Sequence, residues 1–301
     1  MTIRSLVCAA GAAAALAMSA SPAAGSPPPE PAKQILWVDG AKNAYPRWSK
    51  DGARILYESN RTGKWQLHVM DADGSRDHAI TSGSADNQLP DWSPDNAWIA
   101  FTSNRDGNDE IYVMREDGTG LRNLSNSPAR EIHPYWSPDG AWILFNSDRD
   151  GGALQVYEVH PDGTGLHRLA VSEDEETCAR VSPKGDRIVL LANLKAGRDD
   201  VILRWRDGSH PVNLTHDAAP DGWPTWTPDG RRIVFASRRD GPFSLYSMEP
   251  DGSGVRRLTL PETPFSDARP SVSPDGRRIL FNRQKGETIG IFVLDLAPAV
   301  R

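Results

Sequence analysis

Residues 90–114 read Pro90-Asp91-Trp92-Ser93-Pro94-Asp95-Asn96-Ala97-Trp98-Ile99-Ala100-Phe101-Thr102-Ser103-Asn104-Arg105-Asp106-Gly107-Asn108-Asp109-Glu110-Ile111-Tyr112-Val113-Met114. A strand enters through Pro90 and Trp92. Ser93-Pro94-Asp95-Asn96 then makes a turn, because proline presets φ and Asp and Asn tolerate tight geometry. Ile99-Ala100-Phe101 is apolar and rich in strand formers, Asn104–Gly107 is a second turn, and Ile111–Met114 is a third strand. An Asp-Gly turn at 117–118 and a short outer strand, Leu121–Leu124, complete the unit.

The same unit recurs in both directions along the chain. Its turn stands at Ser49-Lys50-Asp51-Gly52, Ser137-Pro138-Asp139-Gly140, Ser182-Pro183-Lys184-Gly185, Thr227-Pro228-Asp229-Gly230 and Ser273-Pro274-Asp275-Gly276, with 44 to 46 residues between successive turns. Four strands at such a period describe a propeller blade. The fold predicted is all-β, a six-bladed β-propeller with four-stranded blades. The sixth unit stops after its third strand, Ile291–Leu294, while Ile35–Val38 precedes the first unit as an orphan. Pairing the orphan (about 35–38) with the last blade closes the ring and removes its exposed edges. The Trp residues at 48, 92, 136 and 226 are read as packing between blades. The fourth unit departs most, with Ala179, Val181 and Lys184 at the Pro, Trp and Asp positions.

Composition agrees. Tryptophan (10), glycine (26) and proline (24) are frequent, as many short strands and turns require. The net charge of −6 argues against a nucleic-acid partner, which would need a basic surface. Arg4 followed by the short apolar run Leu6–Met18 and the small residues Ala23-Ala24-Gly25 reads as a signal peptide over 1–25. Its removal leaves a charge of −7, no transmembrane segment, and Cys178 as a lone cysteine without a disulfide partner. Residues 26–33 form a Pro-rich leader and 34–301 the propeller. The expected location is periplasmic or secreted, and the expected state a monomer.

The unit Pro-x-Trp-Ser-Pro-Asp-Gly, then Ile-x-Phe-x-Ser-x-Arg-x-Gly, then Ile-Tyr-Val-Met, resembles the repeats of TolB-like propellers, also called WD40-like or PD40 repeats. The resemblance covers about residues 43–296. It implies a protein-binding role at the channel mouth. In the family's namesake an α/β domain precedes the propeller. Only about twenty residues stand between the leader's start and the first unit here, so the Tol–Pal role is not carried over.

Equivalent positions in the blades define candidate binding groups. Five residues before each seam Trp or Val lie Asn43, Asn87, Glu131, Glu176, Asp221 and Asp267. If these converge, four carboxylates raise one another's pKa or attract a cation. Three residues before it lie Tyr45, Leu89, His133, Cys178, Trp223 and Arg269, a mixed ring able to stack on or hydrogen-bond a ligand. The competing reading pairs the loop arginines Arg61, Arg105, Arg149 and Arg239 with neighbouring carboxylates in purely structural ion pairs.

Three functions remain open: a non-catalytic protein-binding or scaffold propeller of the envelope, a small-ligand or glycan sensor, and a metal-dependent lyase-like propeller. No Gly-x-Ser-x-Gly motif supports a hydrolase. Of histidines 68, 78, 133, 160, 167, 210 and 216, only His133 falls at a channel position, so no multi-histidine metal site is expected. The loop Asp148-Arg149-Asp150-Gly151 begins like a calcium loop but has Gly152 in place of the next ligand. The reading favoured is the protein binder, with no catalytic residues and no cofactor. A divalent cation at the channel-mouth carboxylates is the alternative.

Overall fold

The computed structural model describes residues 31–170, 172–194 and 198–296. The expected signal peptide, residues 1–25, and the expected leader residues 26–30 lie outside them. The chain forms six four-stranded antiparallel sheets. Their inner strands are Asn43–Trp48, Asn87–Trp92, Glu131–Trp136, Glu175–Val181, Asp221–Trp226 and Ser266–Val272.

The turn chemistry explains the repeat. In blade three the Ser137 hydroxyl donates to Asp139 (2.5 Å) and accepts from the Trp142 amide (2.9 Å), while Asp139 accepts from the Ala141 amide (3.0 Å). Two short side chains thus occupy backbone donors that the turn leaves open. Gly140 takes the left-handed conformation that closes the turn (φ 72°), and Asn96 does the same in blade two (φ 60°). In blade four Lys184 cannot supply the carboxylate, and Asp186 takes over, accepting from the Ser182 hydroxyl at 2.8 Å.

Each seam between blades is an apolar core. Trp136 packs among Ala100, Ile111 and Val113 of blade two and Ile143 and Phe145 of its own blade. Trp92, Trp226 and Trp48 seal the seams of blades one–two, four–five and six–one in the same way. Burying one such indole contributes about 5 kcal/mol. The seam of blades three and four has Val181 instead, with Trp142 packed from the side.

The ring is closed by the strand Lys33–Leu36, antiparallel to Thr288–Asp295 of the last blade. This strand begins two residues before the expected 35–38. Trp37 leaves it to pack edge-on against Phe265 (6.3 Å) and Phe292 (6.2 Å). Among the described residues no helix is long and apolar enough to cross a membrane.

Candidate functional site

The inner strands place three rings of side chains along the axis. The loops between blades and the second-to-third-strand loops lie at one end (the loop face), and the Ser-Pro-Asp-Gly turns at the other (the turn face).

The first ring, at the loop face, is Asn43, Asn87, Glu131, Glu176, Asp221 and Asp267. All six are buried, and each is held by its own blade. Glu131 accepts from Arg149 (2.8 Å), Asp221 from Arg239 (3.1 Å), and Asp267 takes both nitrogens of Arg283 (2.7 and 2.8 Å). Glu176 pairs with Arg204 at 2.8 Å, Asn87 accepts from Arg105 at 2.7 Å, and Asn43 accepts from Ser59 at 2.8 Å. Arg61 turns instead to Asp77 at 2.7 Å. No other carboxylate of the ring is among the causes that shift Glu131, Glu176 or Asp221. Burial pushes Glu131, Glu176 and Asp221 upward, and the neighbouring arginines draw each back. Among the described residues no group of three or more His, Cys, Asp or Glu could hold a metal ion.

The second ring is Tyr45, Leu89, His133, Cys178, Trp223 and Arg269. Every one of these non-glycine residues has a positive φ, between 49° and 57°. The register of each inner strand shifts there, as at Ala44/Arg47 and Ile132/Tyr135. A bulge of this kind costs of order 1–3 kcal/mol per residue and re-aims the side chain. Groups on the preceding blade's second strand secure three of the bulges. Asn282 accepts from the Tyr45 amide (3.0 Å), Asn146 from the Cys178 amide (3.3 Å), and Glu58 from the Leu89 amide.

These bulges bring four of the six side chains together across blades. The Tyr45 hydroxyl lies 3.4 Å from His133 Nε2, and the Arg269 guanidinium lies over the rings of Tyr45 (4.6 Å) and Trp223 (5.1 Å). Burial and the cations Arg180, Arg269 and Arg47 depress His133 to about 3, so it is neutral at physiological pH. Its Nδ1 and the Nε of Arg269 are buried without hydrogen-bond partners. Cys178 is buried, and burial pushes its thiol up. Of the other histidines, His68 stacks on Tyr57 inside blade one and His160 on Trp142.

Two features escaped sequence reasoning. Glu58, buried beside the second ring, is raised to about 7, chiefly by burial, while the Leu89 amide, Arg269 and Arg47 oppose the shift. Its equivalents in the other blades are Thr102, Asn146, Leu191, Ala236 and Asn282. That departure from the repeat was the available signal. The other is a third ring at the turn face, one residue before each seam position: Arg47, Asp91, Tyr135, Arg180, Thr225 and Ser271.

The loop face also carries an open groove of about 760 Å³ beside the closing blade. Trp37, Phe265 and Phe292 line it, with Arg283, Lys285 and Asp39 at its edge. The second and third strands of blade six (Arg278–Lys285, Thr288–Asp295) and of blade four (Arg187–Leu194, Arg198–Trp205) have 8 residues each, against 5 in blades two, three and five. In both, the ladder runs two residue pairs further toward this face than in blades two, three and five.

A family model described as the TolB beta propeller domain matches residues 46–204 and 189–300. The crystal structure of TolB from Acinetobacter baumannii superposes with a TM-score of 0.68 at 26% identity, covering 76% of this chain and 56% of that one. The chain thus spans little more than half the length of that protein. A putative TolB from Agrobacterium tumefaciens superposes with a TM-score of 0.66 at 24% identity, covering 85% of this chain and 90% of that one. An oligogalacturonate lyase in complex with manganese shares the fold, with a TM-score of 0.61 at 14% identity over 89% of this chain and 93% of that one.

Proposed function

The chain belongs to the TolB beta propeller domain family, and from that premise we propose that it is an exported, monomeric, non-catalytic binding module of the cell envelope that docks a protein partner on its loop face. The observation that carries this reading is the break in the repeat at that face. Two hairpins carry longer ladders in place of the repeat's loop, and the aromatic groove of Trp37, Phe265 and Phe292 opens against one of them. Aromatic anchors beside a charged edge are what protein interfaces use. Two of the channel groups are unsuited to catalysis. His133 is too weak a base at a pKa of about 3, and Cys178 is a buried thiol with its ionisation disfavoured.

The test uses the full chain as bait, cross-linked in envelope extract of the source cell, with Trp37→Ala and Lys285→Glu variants beside it. Loss of one specific cross-linked protein in both variants is the expected result. Capture that survives both places the docking surface elsewhere. Cell fractionation of a chain lacking residues 1–25 tests export: retention in the cytoplasm is expected.

A further inference from the structure

At the turn face the channel widens into a cavity of about 350 Å³ walled by the third ring. Arg47 comes from blade one and Arg180 from blade four, so in a ring of six blades they stand on opposite sides of the axis. The ring holds one acid, Asp91, and that acid is already engaged. Its Oδ2 accepts from the Trp136 amide at 2.9 Å. Its Oδ1 stands 3.8 Å from Arg47 Nε, beyond hydrogen-bond reach.

Arg47 Nε is buried and has no hydrogen-bond partner. Arg180 gives one N–H to the Ala179 carbonyl at 3.0 Å and lies over the Tyr135 ring at 4.2 Å. Both guanidiniums are largely withdrawn from water, and burial together with Arg180 pushes Arg47 below its ordinary value. Five turns put proline at the mouth of this cavity; the first puts Lys50 there. Tyr135, Thr225 and Ser271 are also among the lining residues. Among the cavity's lining residues the charged groups are thus three cations and one acid.

We propose that this turn-face cavity binds a small oxyanion, carboxylate or phosphate, between Arg47 and Arg180. A guanidinium fork suits the paired oxygens of either group. An anion on the axis would supply the charge that the single acid does not. The cavity lies at the opposite end of the channel from the proposed docking face, so this inference does not rest on that one.

The experiment is calorimetric titration and thermal melting of the full chain with succinate and with inorganic phosphate, at matched ionic strength in chloride, with succinamide as the uncharged control. A saturable heat and a rising Tm with one of the two anions, absent with succinamide, are expected, and which anion responds identifies the headgroup. Arg180→Gln should weaken that binding at least tenfold. Lys50→Glu, on an exposed turn, should weaken it about threefold and keeps the test decisive if an arginine variant does not fold. No saturable response to either anion, or unchanged affinity in Lys50→Glu and in the folded arginine variants, overturns the proposal.

Discussion

At the loop end of the channel each of four buried acids has an arginine of its own blade, whereas the turn-end ring holds two arginines and a single acid, which stands near Arg47. Arg149 and Arg239, with Arg105 on Asn87, recur at one position from blade to blade, and Glu176 and Asp267 find an arginine of their own blade at other positions, so these pairs belong to the scaffold. The turn-end arginines recur in no fixed pattern. Their equivalents are an acid, a tyrosine and two hydroxyls. In a repeat protein a charge whose partner also repeats is structural, and a charge in surplus at a non-repeating position marks a place where something else is to bind.

The comparison can be broken most sharply at Asp267. Asp267→Ala leaves Arg283 facing a buried hole and should destabilise the protein by about 3–4 kcal/mol in urea unfolding. The double variant with Arg283→Ala should recover part of that loss, because the pair is coupled. Next comes Glu58. Its folded pKa, about 7, lies above the ordinary 4.5, so its contribution to stability is complete below about 4.5 and is lost as pH rises through 7. Glu58→Gln keeps an acceptor for the Leu89 amide and should raise stability at pH 8 by about 2–3 kcal/mol, with no change near pH 4. His133 acts with the opposite sign. Its folded value of about 3 lies below 6.5, so its contribution is complete above 6.5 and is lost as pH falls toward 3. His133→Gln should therefore flatten the acid limb of Tm against pH. The smallest effect is expected at the turn end. Arg47→Met relieves the crowding of like charges and should leave stability within about 1 kcal/mol of the parent when no oxyanion is added.

Most of the fold was legible because the blade turn is local chemistry. Ser, Asp and Gly at fixed spacing close their own hydrogen bonds, so the period survives even where Lys184 or Asn96 intrudes. The closing strand was legible for a related reason: Ile35 and Leu36 needed a partner and the last unit lacked a strand. The conformation of the second ring was not. Tyr, Leu, His, Cys, Trp and Arg share no preference for positive φ, and the bulge is imposed by the neighbouring blade through groups such as Asn282 and Asn146. The partners of the first ring could be guessed for Arg149 and Arg239. The Arg204–Glu176 pair could not, because that arginine comes from a third strand and not from the loop. The third ring was passed over because its positions look unremarkable singly. Only Arg47 and Arg180 read together, with Lys50 in a proline's place, give it away.

The closing strand has a consequence for how the protein is made. Lys33 meets Asp295 across 262 residues of chain. The first strand therefore has no lasting partner until the last blade has been made, and contacts of such long span form slowly. Until then the last seam stays unsealed and the chain remains an open row of blades. Clasping strand one onto the last blade turns that row into a ring with no free sheet edge at the join.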